Sequence, residues 1–311
     1  MAHLVKIQDC VSRYEKNLYH YQSAFIRLKK KRREDRLADE GNERFEAVEL
    51  EEASEEKKTG IWRRLFTRGK EELPEFVNEE NLEKLELTAE EKRQQHNDEL
   101  YSFQLKWASS TVGEVSRLDP SFEKDVILRY LIEQVPDNYF VFYKPIVTAM
   151  NAPVELDIII VGPADIWLIV WLEEEGILTE ESKRFWLSTE GGQKLINPHI
   201  SMQRMTQAVS AVLKASPSQL ALKKAFLSKE AYMDVEPDWR KVLYIDKREF
   251  NEWLENIKKD RAPVKSQQLR FVSALLSSCV TNSLYREPEM VEEQHGEDGE
   301  EKEGINADSV E

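Results

Sequence analysis

Residues 155–172 read Glu-Leu-Asp-Ile-Ile-Ile-Val-Gly-Pro-Ala-Asp-Ile-Trp-Leu-Ile-Val-Trp-Leu. Two apolar runs, Leu156 to Val161 and Ile166 to Leu172, are parted by Gly162, Pro163, Ala164 and Asp165, which are turn-forming residues. Neither run approaches the roughly 20 residues that a helix needs to cross a bilayer. Each has strand length and strand composition. A strand such as Ile166 to Leu172, apolar on both faces, belongs in the middle of a covered sheet. One residue is out of place. Asp157 sets a carboxylate among aliphatic neighbours, where a charge is costly unless something satisfies it. It is either a solvated or hydrogen-bonded strand end, or a metal ligand or general base.

Outward from this pair, Tyr139 to Tyr143 and Val242 to Ile245 read as further strands. Helical segments are expected over Phe122 to Gln134, Ser201 to Ala215, Lys247 to Ile257 and roughly Ser266 to Tyr285. The interleaving predicts an α/β domain over 119–260, closed by a C-terminal helix in 261–286.

The N-terminal part has another character. Leu4, Ile7, Val11, Tyr14, Leu18, Tyr21, Phe25 and Leu28 alternate steps of three and four, a heptad seam that predicts one coiled-coil-like helix over 1–36. Such a helix needs a partner, internal or a second chain. Thr88-Ala-Glu-Glu91 is a capping box that opens a second long helix over 88–118. Its apolar stripe of Leu100, Tyr101, Phe103, Leu105 and Trp107 suits it to pair with the first, as a hairpin or a dimer stalk. The intervening 37–87 is a charged linker. It carries a basic and aromatic island in which Trp62, Arg63, Arg64 and Phe66 form either a partner-docking motif or a short helix folded back on the body. Lys29 to Arg33 is a nucleic-acid or lipid contact, or a solvated helix end favoured by the helix dipole.

The net charge is −15, but residues 287–311 alone hold eleven acidic residues against one lysine and are expected to form a disordered tail. The rest is mildly acidic and lacks the basic footprint usual in nucleic-acid binders. The two cysteines, Cys10 and Cys279, make neither a disulfide framework nor a zinc site and are expected to be buried thiols. The opening residues show no basic segment followed by an apolar one, so a cytoplasmic location without a secretory signal is expected. The histidines lack metal-ligand spacing, and there is no glycine-rich phosphate loop or nucleophile elbow.

Pro136-Asp-Asn-Tyr139, then Glu155-Leu-Asp157 followed by Val161-Gly-Pro163, then the second apolar strand, Gly176-Ile177, Asn197-Pro198 and Gln203 follow in order over about 121–214. In this order the chain resembles the nuclease-related domain family, which is similar to the restriction-endonuclease-like nucleases. The resemblance implies a mixed sheet flanked by helices, with Glu123 as the helix acid, Asp157 as a metal ligand, and Gln203 in the site. It also implies a Glu-x-Lys on the strand after Asp157, two residues apart so that both face one phosphate and a divalent metal. The matching positions are Val170 and Leu172. Losing a metal-binding carboxylate and a catalytic lysine removes several kcal/mol of stabilisation each in typical enzymes. The expectation is therefore a degenerate, non-catalytic relative that needs no cofactor. It would bind or assemble with a protein partner or nucleic acid, and could self-associate through the Leu4 to Leu28 helix. The alternative is a magnesium-dependent nuclease with a rearranged site. Asp157 would then be joined by a displaced carboxylate such as Glu173, Glu174 or Glu175, and by Lys183 or Lys194.

Overall fold

A computed structural model describes residues 1–34, 88–149, 152–236 and 241–285. The Trp62, Arg63, Arg64 and Phe66 island, the rest of the 37–87 linker and the acidic 287–311 segment lie outside the described residues.

The chain forms a mixed sheet of six strands with helices on both faces. In spatial order these are β1 (His3–Ile7), β3 (Phe140–Tyr143), β6 (Ile158–Val161), β7 (Asp165–Trp171), β11 (Ala221–Leu227) and β13 (Leu243–Ile245). β6 alone runs antiparallel to its neighbours, so the other five carboxyl ends emerge along one edge. The turn from β6 to β7 is closed by Gly162 N donating to Asp165 O at 2.8 Å. A Cβ at Gly162 would run into the Tyr139 ring and lie 2.8 Å from Asp165 Oδ1, so the Val-Gly-Pro turn requires glycine there for close approach.

One face is covered by α3 (Val126–Gln134) and α5 (Phe250–Lys259), whose Leu131, Ile132, Trp253 and Leu254 pack on Ile160, Trp167 and Ile169. The other is covered by α1 (residues 13–34), α4 (Pro198–Ala215) and α6 (Ser266–Ser278), through Phe25, Met205, Val209 and Phe271 against Phe142, Ile159 and Leu168. A smaller sheet of β10 (Lys194–Ile196), β9 (Phe185–Ser188), β8 (Gly176–Glu180) and β12 (Ala231–Asp234) packs on this second face through Trp186 and Leu178. Two antiparallel pairs complete the fold: β4 (Ile146–Ala149) with β5 (Ala152–Glu155), and β2 (Glu114–Val115) with β14 (Leu284–Tyr285) from far along the chain.

The N-terminus departs from the heptad reading. Leu4 to Ile7 are not helical; they belong to β1, and all five β1 residues are buried. Gln8 then takes a left-handed φ of 42°, and α1 starts only at residue 13. Leu4 and Ile7 are three apart by coincidence: His3 to Ile7 is buried on both faces, Lys6 included by its ion pair with Glu15, so the segment has no apolar period that tells strand from helix. From Val11 onward the seam holds, and it is spent inside the chain. Tyr14, Tyr21 and Phe25 set their ring edges against Trp107 of α2 (Ala89–Ser109), at centroid separations of 6.2, 5.2 and 6.2 Å. The partner of the first helix is thus internal, and its apolar seam is not available as a dimer stalk.

α2 carries the expected capping box at Thr88 and Glu91, but stops at Ser109 rather than running to 118. It lies along β1, where Leu4 N donates to Gln104 Oε1 at 3.1 Å and Gln104 Nε2 donates to Ala2 O. The fully buried glutamine satisfies backbone groups that a sheet edge otherwise leaves open. β1 is thus an edge strand of the six-stranded sheet and α2 packs along it, so these two described elements belong to the α/β body. α6 likewise ends at Ser278, well before Tyr285. Among the described residues no helix is long and apolar enough to cross a membrane.

Candidate functional site

Asp157 stands just ahead of β6, at the carboxyl-end edge of the sheet, where open α/β sheets bind ligands. Side chains alternate along a strand, so Asp157 shares a face with Ile159 and Val161, the face covered by α4. Val170 and Leu172 lie in that same core cluster, 7% and 8% exposed. Val170 and Leu172, where the resemblance led to the expectation of a Glu-x-Lys, therefore face the Asp157 side as packed aliphatic groups.

The Asp157 carboxylate accepts a hydrogen bond from Ser201 Oγ of α4. Burial pushes its pKa up; the Ser201 hydroxyl and the charges of Lys144 and Arg204 pull it back without cancelling the rise. α4 is set by Asn197, whose side chain accepts from His199 N at 3.0 Å, with Pro198 as the first helical residue. Asn197 Nδ2 also donates to Lys183 O at 3.2 Å. Asn197-Pro198 is thus a helix start, and its purpose is to aim the first turn of α4 at the β6 strand.

Among the expected residues, Glu123 sits in a 3-10 turn, exposed, on the other side of the sheet, where its charge acts on Tyr101 of α2. Glu173 is also exposed and acts on Tyr143, again away from Asp157. Tyr143 donates to Asp125 Oδ2 at 2.8 Å, and burial and that carboxylate hold its hydroxyl far above the ordinary tyrosine value. Gln203 is exposed, two positions and about 200° round the helix from Ser201. Lys194 pairs with Glu181 at 2.8 Å, not with Asp157. Glu174 has a buried Oε2 with no hydrogen-bond partner among the described residues.

The structure therefore brings Asp157 together with Ser201, Lys144 and Arg204, and not with Glu123, Glu173 or Gln203. Two cations and a donated hydroxyl do not fit a magnesium ion, which asks for several oxygen acceptors around one point. No cluster of three or more His, Cys, Asp or Glu able to hold a metal occurs among the described residues. Ser201 and Arg204 left no mark in the sequence beyond following a helix start, and Lys144 only follows the strand read over Tyr139 to Tyr143. The two thiols are not part of this site: burial pushes Cys10 up to about 11 and Cys279 up to about 12. Compared with known proteins, the chain matches no family model, no curated protein and no solved structure.

Proposed function

We propose that this protein is a degenerate relative of the nuclease-related domains, with a restriction-endonuclease-like core that binds a protein or nucleic-acid partner and does not cut. The element order supports the kinship: a helix, three antiparallel strands (β3, β6, β7), a helix on the far face, and a strand parallel to the third. So does Asp157 at the head of the middle strand. The observation that carries the loss of catalysis is the pair Val170 and Leu172, packed in the core on the Asp157 side where a carboxylate and a lysine would have to stand. Removing ligand charge and transition-state stabilisation together leaves too little to activate a water.

Titration calorimetry with Mg²⁺ and Mn²⁺, run beside cleavage of labelled single- and double-stranded DNA and RNA, tests the reading against Asp157→Ala. The expected result is no cleavage and no metal heat that depends on Asp157. Cleavage that disappears in Asp157→Ala overturns the reading and restores the magnesium-dependent nuclease, with a carboxylate such as Glu173 moving across to join Asp157.

A further inference from the structure

Next to the Asp157 cluster, a cavity of about 480 Å³ opens between α4, α6 and the β4–β5 pair. Its size is that of small-molecule sites. One wall is a single face of α4: Arg204, Gln207, Ala208, Ala211, Val212 and Ala215, spaced three, one, three, one and three. At 1.5 Å per residue this face runs about 16 Å. The short side chains Ala208, Ala211 and Ala274 leave space between α4 and α6, and Leu275 of α6 with Val147 and Val154 of the β4–β5 pair add apolar lining. Thr148, Ser277 and Ser278 add hydroxyls at the sides.

The cavity is polarised along its length. The cation Arg204 stands at one end of the α4 face, with Gln207 one turn on, and nothing but alanine and valine follows to Ala215. Arg204 forms no ion pair or hydrogen bond with another described residue; its charge acts on Asp157, which already accepts the Ser201 hydroxyl. A guanidinium at the mouth of an apolar trough matches a carboxylate in shape and charge, since its fork pairs both oxygens. A dianion such as a phosphate monoester would meet stronger repulsion from Asp157 at the same end.

We propose that this cavity is a binding site for a small amphipathic anion, a single apolar chain ending in a carboxylate, with the head on Arg204 and the tail along Ala208, Ala211 and Ala215. The site requires no metal at Asp157, so it stands or falls apart from the loss of nuclease chemistry.

Decanoate and decanol, both kept below the concentration at which they aggregate, are titrated into the full chain by calorimetry and by tryptophan fluorescence. Decanoate is expected to saturate at one per chain and to bind more tightly than decanol. Arg204→Gln is expected to weaken decanoate about tenfold, the scale of a charge-assisted pair, and to leave decanol unchanged. Ala211→Phe fills the trough and is expected to abolish both, with circular dichroism checking that it folds. If that variant fails to fold, the contrast between decanoate and decanol in Arg204→Gln still decides. Absence of saturation, or decanoate binding that ignores Arg204→Gln, overturns the proposal. So does sedimentation with phosphatidylglycerol vesicles in the absence of any binding to monomeric decanoate.

Discussion

Two aspartates, Asp246 buried and Asp157 half-buried, stand at the same edge of the same sheet and are treated in opposite ways. Asp246, directly after β13, receives the Met233 amide at 3.1 Å, the Arg248 amide at 2.9 Å and the Arg248 guanidinium through Nε at 3.1 Å and Nη2 at 2.5 Å. Burial works to raise its pKa, and the Arg248 and Met233 hydrogen bonds outweigh it, holding the carboxyl below the ordinary value. Asp157 has one hydroxyl and two cations at a distance, and burial wins. Asp246 is a clamp: its oxygens tie β12 of the small sheet to the start of α5. Asp157 is under-satisfied, and a carboxylate in that state is what a ligand or a proton can still address.

The largest expected effect follows from the clamp. Asp246→Ala leaves the Met233 and Arg248 amides without their acceptor and should cost about 2–3 kcal/mol, read as a shift in the urea midpoint at constant slope. Because the folded pKa of Asp246 lies below its unfolded value, its contribution is present above the ordinary pKa of 3.8 and is lost as pH falls through the folded value. The difference between wild type and variant should therefore shrink below about pH 4. A variant as stable as wild type at neutral pH would dissolve the contrast between the two residues.

Neither aspartate announces its role equally in the sequence. Asp157 is conspicuous because the aliphatic residues Ile158 to Val161 surround it, while Asp246, in Ile-Asp-Lys-Arg, reads as an ordinary turn. The same logic divides the strands. β6 and β7 are unbroken apolar runs buried on both faces and are legible without a structure. β11 is equally central, yet Lys223 and Lys224 interrupt it. The structure accommodates Lys223 by laying its ammonium 4.7 Å from the Trp167 ring centroid and 2.6 Å from Asp165, a use of a long side chain that composition cannot reveal. β1 hid inside a heptad pattern, and β8 to β10, short and half exposed, carry no run long enough to register. The common face of Asp157, Val170 and Leu172 was legible, because strand periodicity fixes which side they face. Glu123, Glu173 and Gln203 were misplaced, since a position in a turn, a strand exit or a helix face depends on how the elements pack.

A smaller effect sharpens the Asp157 side. Ser201→Ala removes the hydroxyl that donates to the carboxylate and should cost about 1 kcal/mol while raising the Asp157 pKa further, since that hydrogen bond favours the charged form. Carbon-13 titration of the Asp157 carboxyl measures the second effect directly. A pKa that stays put or falls would mean that the hydroxyl is not what holds the charge in check.

The smallest expected effect carries the sign that separates the two residues. Asp157→Asn keeps an oxygen for the Ser201 hydroxyl to donate to and removes a buried negative charge, so at pH 7 it should be at least as stable as wild type, by a margin of up to about 1 kcal/mol. The folded pKa of Asp157 lies above its unfolded value of 3.8, so the folded wild type takes up a proton more readily than the unfolded chain. As pH falls from neutral through that raised pKa, wild type gains on the variant, and the margin closes, the reverse of the trend for Asp246→Ala. Thermal melts of the pair between pH 7 and pH 4 read this out, with the clamp at Asp246 common to both proteins and cancelling. An asparagine variant that is weaker at pH 7 and recovers in acid would mean that Lys144 and Arg204 overcome burial. The carboxylate would then be a second clamp rather than an open site.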